Sequence, residues 1–526
     1  MRYTARMSRQ YVTTAIDYAN AAPHMGHVME KIMADVIARW FRLRGDEVRF
    51  QVGMDEHGVK VQRTAAKAGV EPQAFVSGIA PFYIDLYKRL GISHDAFIRT
   101  TDRAVHWPTV VALWQKLAEN GALEKRSYTG LYCQGCERFL TKRDLEDGLC
   151  PIHKAKPEEV TEENWFFLMK KREKFLKGLL TEKGGYAIVP DFRAPETLSL
   201  IEQGLEDVSF SRPKSSLSWG IPVPGDENQT MYVWCDALTN YISGLGLLTD
   251  HAQPQFWDDA TVTHVIGKDI ARFHALIWPA MLDYAGIKTP DRLLIHGFLT
   301  SEGQKMSKTI GNVVVPEDVL AHFNGNPDPL RFYLSHEIPV GNDGDFSWKR
   351  IDEVYDSKLR NQLGNLLNRV LVLLSKIENK ISVGTQSNLL AGDDVENRGE
   401  GKSLAWTRYE KDMDSLDTWS GVQRVFNWLE ACNKHITVLE PWKISEVEDR
   451  RRILSNFAEN LRHISLQLLP FVPQTAQRMA MQLNLPYADT MLDKDFVITP
   501  QMKEWGGAKE WTRVGEPEIL FAPLEK

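Results

Sequence analysis

Tyr11-Val12-Thr13-Thr14-Ala15-Ile16, followed shortly by Pro23-His24-Met25-Gly26-His27, is the stretch on which the architecture of this chain turns. The first six residues are apolar and β-branched and read as a buried strand. A helical pattern runs from about His27 to Leu43, and Glu47-Val48-Arg49-Phe50-Gln51-Val52 reads as a second strand. Strand, helix, strand is the grammar of a parallel α/β sheet. It returns at Thr263-His264-Val265-Ile266, which leads into a helix, and at Arg292-Leu293-Leu294-Ile295, which leads into a loop. Between the two blocks the grammar breaks, with a cysteine cluster, turn-rich sequence and Trp219-Gly220-Ile221-Pro222-Val223-Pro224. The expected layout is one α/β domain in two halves, 1–116 and 232–325, split by an insertion over 117–231. A connecting segment, 326–351, then leads to a helical domain, 352–526. There Leu363, Leu366, Leu367, Val370, Leu374 and Ile377 make one apolar stripe at helical spacing, and 384–402 reads as a loop between helices.

A chain of 526 residues exceeds one ordinary core, so several domains are expected. With 43% hydrophobic and 25% charged residues it reads as globular, and no apolar run approaches the roughly 18 residues of a membrane helix. No apolar stretch follows the arginines of the amino terminus, so no secretory signal is read there. Five cysteines, three of them in one short segment, point to a reducing compartment, with a cytoplasmic location expected, and to a metal site rather than disulfides. The net charge of −7 weighs mildly against nucleic acid as a partner, although it says little about local patches.

Three features carry chemistry. His24 and His27 lie three apart at a helix start, where free N–H groups and positive potential suit an anion, and Gly26 between them allows close approach to the backbone. Far downstream, Gly303-Gln304-Lys305-Met306-Ser307-Lys308-Thr309 places two ammonium groups three apart in a glycine-bounded loop, able to meet the charge of a leaving pyrophosphate. Either motif alone reads better as structural, the lysines as a solvated loop. Cys133-Gln134-Gly135-Cys136, then Cys150-Pro151-Ile152-His153, offers three thiolates and an imidazole in two knuckle-like pairs, fitting a closed, structural tetrahedral Zn²⁺ site; accidental clustering is the alternative. Cys235 and Cys432 read as buried apolar residues.

In this order, on an α/β framework, the histidine and lysine motifs resemble the HIGH and KMSKS motifs of class I aminoacyl-tRNA synthetases, with Met25 in place of Ile and Thr309 in place of the final Ser. Within the class, Ala15-Ile16-Asp17-Tyr18-Ala19-Asn20, Met54-Asp55-Glu56-His57-Gly58, Tyr232 through Tyr241 and Lys268 through His274 resemble the methionyl family, although many members carry proline where Asp17 stands. The resemblance implies a Rossmann-like parallel-sheet catalytic domain, split by a zinc-bearing insertion and followed by an all-helical anticodon-binding domain. It implies attack of the methionine carboxylate on the α-phosphate of ATP, with Mg²⁺ arriving on the nucleotide, and then transfer to the 3′ end of initiator and elongator methionine tRNAs.

By the same resemblance His24, His27, Lys305 and Lys308 are catalytic, and Gly26, Lys268, Asp269, His296 and Gly297 join His24, His27 and Lys308 around ATP. Methionine falls to Ala15, Ile16, Tyr18, Asp55, Trp234, Leu238, Tyr241, Ile270, Phe273 and His274. Asp55 takes the α-ammonium and Tyr241 donates its hydroxyl toward the thioether, a weak acceptor. Asn365, Arg369 and Trp442 match the family's anticodon readers, and helical phase puts Asn365 and Arg369 opposite the apolar stripe. A monomer is expected. Leucyl and valyl types need a longer editing insertion, and the cysteinyl type places zinc in its substrate pocket. A small-molecule nucleotidylyltransferase would lack the helical domain, and a non-catalytic tRNA-binding relative would have lost one of the two signature motifs.

Overall fold

The computed structural model describes residues 8–133, 138–140, 144–152, 154–181, 185–305, 312–383 and 404–524, without the side chains of Arg138, Phe139, Lys305 and Leu404. Seven strands form the central sheet: Arg9–Thr14 (β1), Asp17–Tyr18 (β2), Glu47–Asp55 (β3), Ala96–Arg99 (β4), Ala187–Val189 (β5), Ala260–Gly267 (β6) and Arg292–His296 (β7). Their order is β2-β3-β1-β6-β7-β5, with β4 on β3, and every pair is parallel. β1 and β6 are buried almost without alternation, as strands covered on both faces must be. The sequence blocks on either side of the insertion thus meet in one sheet, with Arg9–Thr14 lying between β3 and Ala260–Val265.

Helix Met25–Arg44 (α1) follows β2, leads into β3 and is buried along most of its length. Pro72–Arg89 (α2) follows β3. One apolar cluster lies around α1, and a second contains Tyr11, Trp257, Trp278 and Tyr241 from helix Val233–Ser243 (α3). The stretch read as an insertion contains an antiparallel pair, Leu123–Cys133 with Glu158–Phe167. It does not stay apart from the sheet, because β5 comes from inside it and pairs with β7 as the edge strand. Three residues of strand are too short to leave a periodic signal.

After Asp328–Glu337 (α4) and a short strand, Gly344–Phe346, that pairs with Leu299–Ser301, the described residues are mainly helical. The helix expected around the Leu363 to Ile377 stripe is three segments in series: α-helical over Trp348–Val354, π-helical over Tyr355–Gly364, then Asn365–Ser375 (α5). The wider π turns shift the phase, which an assumed 3.6-residue period cannot show. Thr418–Leu439 (α6) and Val447–Leu468 (α7) complete the frame, and the loop expected over 384–402 lies outside the described residues. Among the described residues no helix is long and apolar enough to cross a membrane.

The sheet-bearing and helical parts share one core. Trp40 of α1 meets Tyr409 edge-on at 5.4 Å and donates its indole N–H to Asp414 at 2.8 Å. Deeper, Arg331 of α4 is fully buried: Nη2 lies 2.8 Å from Asp35 Oδ2 of α1, Nε donates to the Phe471 carbonyl and Nη2 to that of Pro470. Asp35 also accepts from Arg39 Nε and from Ser93 N–H and hydroxyl. Breaking a buried, hydrogen-bonded ion pair from one side leaves an uncompensated charge. Arg331→Met should therefore lower unfolding free energy by about 3–5 kcal/mol, measured by urea denaturation, whereas Lys349→Met at an exposed pair should change it by under about 1 kcal/mol.

Candidate active site

In a parallel sheet, backbone N–H groups and loops converge at the carboxyl ends of the strands. The expected site residues gather there: Ala15 and Ile16 after β1, Asp55 at the end of β3, Lys268 and Asp269 after β6, and His296 and Gly297 at the end of β7. α1 begins in the same layer and is capped by the signature motif itself. His24 is the N-cap, its Nδ1 accepting from Gly26 N–H at 3.1 Å, while His27 Nδ1 accepts from His24 N–H at 3.1 Å. The two rings stack with centroids 3.7 Å apart. With both Nδ1 atoms accepting, each neutral ring carries its proton on Nε2. A Cβ on Gly26 would sit 3.0 Å from His24 Cε1, so glycine here makes room for the capping ring. Burial lowers the His27 pKa, and of its charged neighbours Asp17 and Glu30 oppose that while Lys31 adds to it.

The residues expected around methionine include aromatic pairs in contact. Trp234 and Phe273 stack at 3.7 Å, and the His274 ring stands at 90° to Trp234 with centroids 6.3 Å apart. Ile270 is half-buried and Leu238 buried. His274 Nδ1 faces the Ile270 carbonyl at 3.0 Å and must carry the ring proton, so Nε2 accepts from the Tyr241 hydroxyl at 2.7 Å. The Tyr241 proton is thus committed to His274 rather than directed at a ligand, and its oxygen presents lone pairs. Burial holds His274 at about 4. Beneath Tyr241, His264 stacks at 4.1 Å, accepts from Trp278 Nε1 at 3.2 Å and donates from Nδ1 to Thr13 at 2.6 Å. Tyr18 lies at the rim with Lys60 over its ring.

Among the residues expected around ATP, His296 is buried with Nε2 3.1 Å from Glu30 Oε2. Lys268 lies 2.6 and 2.8 Å from the two Asp343 oxygens and 4.4 Å above the Phe298 ring, so its ammonium is tied to the 341–346 segment. Asp269 is exposed. Gly297 answers a packing demand, since a Cβ there would meet the Asn342 carbonyl oxygen at 2.2 Å. Lys305 lies in a short strand, Gln304–Lys305, paired with Leu299–Ser301; Lys308 lies outside the described residues.

Several positioning groups escaped the sequence reading. Asp236 of α3 takes His57 Nδ1 on one oxygen and His106 Nε2 on the other, both at 2.6 Å. Burial pushes its carboxyl up, but the two histidines outweigh this and hold it below the usual range. The pair His57–Asp236 straps the residue two beyond Asp55 to the helix that carries Trp234 and Tyr241. Glu30, Lys31 and Asp35 were also missed, although three charges on the buried face of an apolar helix are a readable signal.

Far from this layer, Asn365 and Arg369 are exposed, as helical phase suggested. The Arg369 guanidinium lies 6.0 Å from the Trp442 ring centroid, and Asn365 donates to Asn361 at 3.2 Å. Cys133 and Cys150 are buried in one small cluster with Leu140, which brings the two knuckle halves together; Cys136 and His153 lie outside the described residues.

The model of the family "tRNA synthetases class I (M)" matches residues 10–156 and 141–371. A methionine–tRNA ligase of Caldanaerobacter subterraneus subsp. tengcongensis is 37% identical over 98% of this chain and 79% of its own length. One from Streptomyces coelicolor is 35% identical over 98% and 97% respectively. Among solved structures, Mycobacterium tuberculosis methionyl-tRNA synthetase in complex with methionyl-adenylate superposes with a TM-score of 0.86 at 33% identity, covering 98% of this chain and all of that one. With a family model matched over most of the chain and relatives alike over nearly its whole length, this chain belongs to the class I tRNA synthetases of the methionine type.

Proposed function

We propose that the chain activates methionine with ATP to methionyl-adenylate and pyrophosphate and then charges tRNA, with its residues in the following roles. The observation that supports this best is the histidine-capped start of α1 beside the Trp234–Phe273 and Tyr241–His274 pairs. In-line attack of one carboxylate oxygen on the α-phosphorus needs no covalent nucleophile from the protein, so positioning and charge stabilisation carry the step. His24 and His27 offer Nε2–H donors to phosphate oxygens, and His296 lies on the adenosine side. Lys305 and Lys308 take the charge growing on the leaving pyrophosphate. Mg²⁺ comes with the nucleotide. Asp55 receives the α-ammonium. A pocket of stacked rings, whose hydroxyl proton is already spent on His274, suits a soft thioether better than a side chain that needs hydrogen bonds. Lys268 reaches nucleotide only by leaving Asp343.

The layout of catalytic halves, insertion, connecting segment and helical domain, the monomeric state and the cytoplasmic location belong to the same proposal. So does one structural Zn²⁺ held by Cys133, Cys136, Cys150 and His153. The clustering of Cys133 with Cys150 fits that set, and thiolate with imidazole is zinc's preferred donor chemistry. Bound there, the metal would cross-link the two knuckle halves. Asn365, Arg369 and Trp442 read the anticodon: a half-exposed indole beside a guanidinium suits splayed bases by stacking and hydrogen bonding.

Pyrophosphate exchange measured with each amino acid singly should respond to methionine; exchange with leucine or cysteine but not methionine overturns the reading. Trp442→Ala should leave that exchange within about twofold and cut tRNA charging by about tenfold or more, as loss of one stacked base implies; equal loss of both refutes the anticodon role. Metal analysis should return one zinc per chain, falling with Cys150→Ala together with thermal stability. His274 has a folded pKa of about 4 against an ordinary 6.5, so its contribution to stability is present above 6.5 and is lost as pH falls through 4. The unfolding midpoint should drop over that window, and His274→Gln should flatten the dependence.

A further inference from the structure

Asp17 sits in β2, and nothing in the chemistry above uses it. Its carboxylate is buried: Oδ1 accepts from Lys31 Nζ at 2.6 Å, Oδ2 accepts from the Tyr87 hydroxyl of α2, and His27 Nε2 lies 3.9 Å from Oδ1. Lys31 is the more unusual group, since its side chain is 0% exposed on the inward face of α1. The three ammonium hydrogens go to three acceptors: Asp17 Oδ1, Glu30 Oε1 at 2.7 Å and the Ala15 carbonyl at 3.0 Å. Glu30 reaches on through Oε2 to His296 Nε2 at 3.1 Å. One continuous path, His27–Asp17–Lys31–Glu30–His296, therefore runs beneath the site from the signature helix to the end of β7, with a side branch to the backbone of Ala15.

Stability alone does not account for this path. Burying an ammonium and two carboxylates carries a desolvation cost of several kcal/mol per ion, and apolar residues of like volume commonly do as well or better. Burial pulls the Lys31 pKa down, but Asp17 and Glu30 more than offset it and keep the ammonium charged. Burial likewise pushes Glu30 up, and Lys31 with His296 brings it down to about 2. With every hydrogen committed and no exposed surface, Lys31 does not bind substrate itself.

We propose that Lys31 and Asp17 are positioning residues for adenylate formation, a charge clamp that sets the spacing of the His27 ring, the Ala15 carbonyl and, through Glu30, His296. The inference rests on reading His27 and His296 as the ATP side of the site. The test is methionine-dependent pyrophosphate exchange on full-length Asp17→Asn, Lys31→Met and the double variant, with folding followed by thermal unfolding. Absence of exchange in the parent chain would defeat the underlying reading; a working parent isolates the clamp. The expected result is a KM for ATP raised about tenfold in folded Asp17→Asn and more in Lys31→Met, with kcat lowered. Because removing both charges leaves neither uncompensated, the double variant should lose at least tenfold less kcat/KM than the product of the two single losses. Single variants within twofold of the parent, or losses that simply multiply, overturn the clamp. If a single variant does not fold, the double variant decides: a kcat/KM for ATP within twofold of the parent overturns it, and a loss of fivefold or more supports it.

Discussion

The buried guanidinium of Arg331 holds the molecule together as one body. Its donors reach Asp35 on α1 and the carbonyls of Pro470 and Phe471 beside the last core helices, so the signature helix cannot shift without exposing an unpaired charge. α1 is a rod of about 30 Å with the histidine cap at one end and Trp40 and Arg44 anchored to Asp414 near the other. A rod clamped at its middle and far end delivers its first turn to one place. That is what a reaction without a covalent nucleophile asks of a protein, because the rate then rests on where the phosphates are held.

The same economy governs the pocket. Proton positions there follow from a chain of acceptors that leaves no choice of tautomer: the Ile270 carbonyl fixes the proton on His274 Nδ1, and His274 Nε2 then takes that of Tyr241. Trp278 does the same for His264. The aromatic cluster is therefore fixed in its proton positions, and Asp55 lies at the end of β3. Asp236 couples that strand end to the helix of Trp234 and Tyr241 through His57, so the distance between Asp55 and the aromatic cluster depends on one buried hydrogen-bonded strut.

Much of this was legible before any coordinates. The strands around Tyr11 and Val265, the helix after Pro23 and the exposed face carrying Asn365 and Arg369 all follow from hydrophobic period, and each appears where period puts it. The departures have local causes. β5 is too short to show a period, the π-helical stretch at Tyr355–Gly364 has a different one, and the close packing of Gly297 against residue 342 crosses 45 residues of chain. Lys268 looked available in the sequence because its partner, Asp343, lies 75 residues away.

The sequence by itself determined the fold class, the two signature motifs and the family, since these depend on local period, turn chemistry and short spacings written along the chain. The tertiary structure decided who pairs with whom. That Lys31 is a fully committed buried cation, that Tyr241 has already spent its proton, and that Arg331 and Asp35 neutralise each other are results of contacts between distant segments in a medium of low polarity. Desolvation and long-range partnering set the state of each of these groups, and neither quantity is defined until the chain has folded.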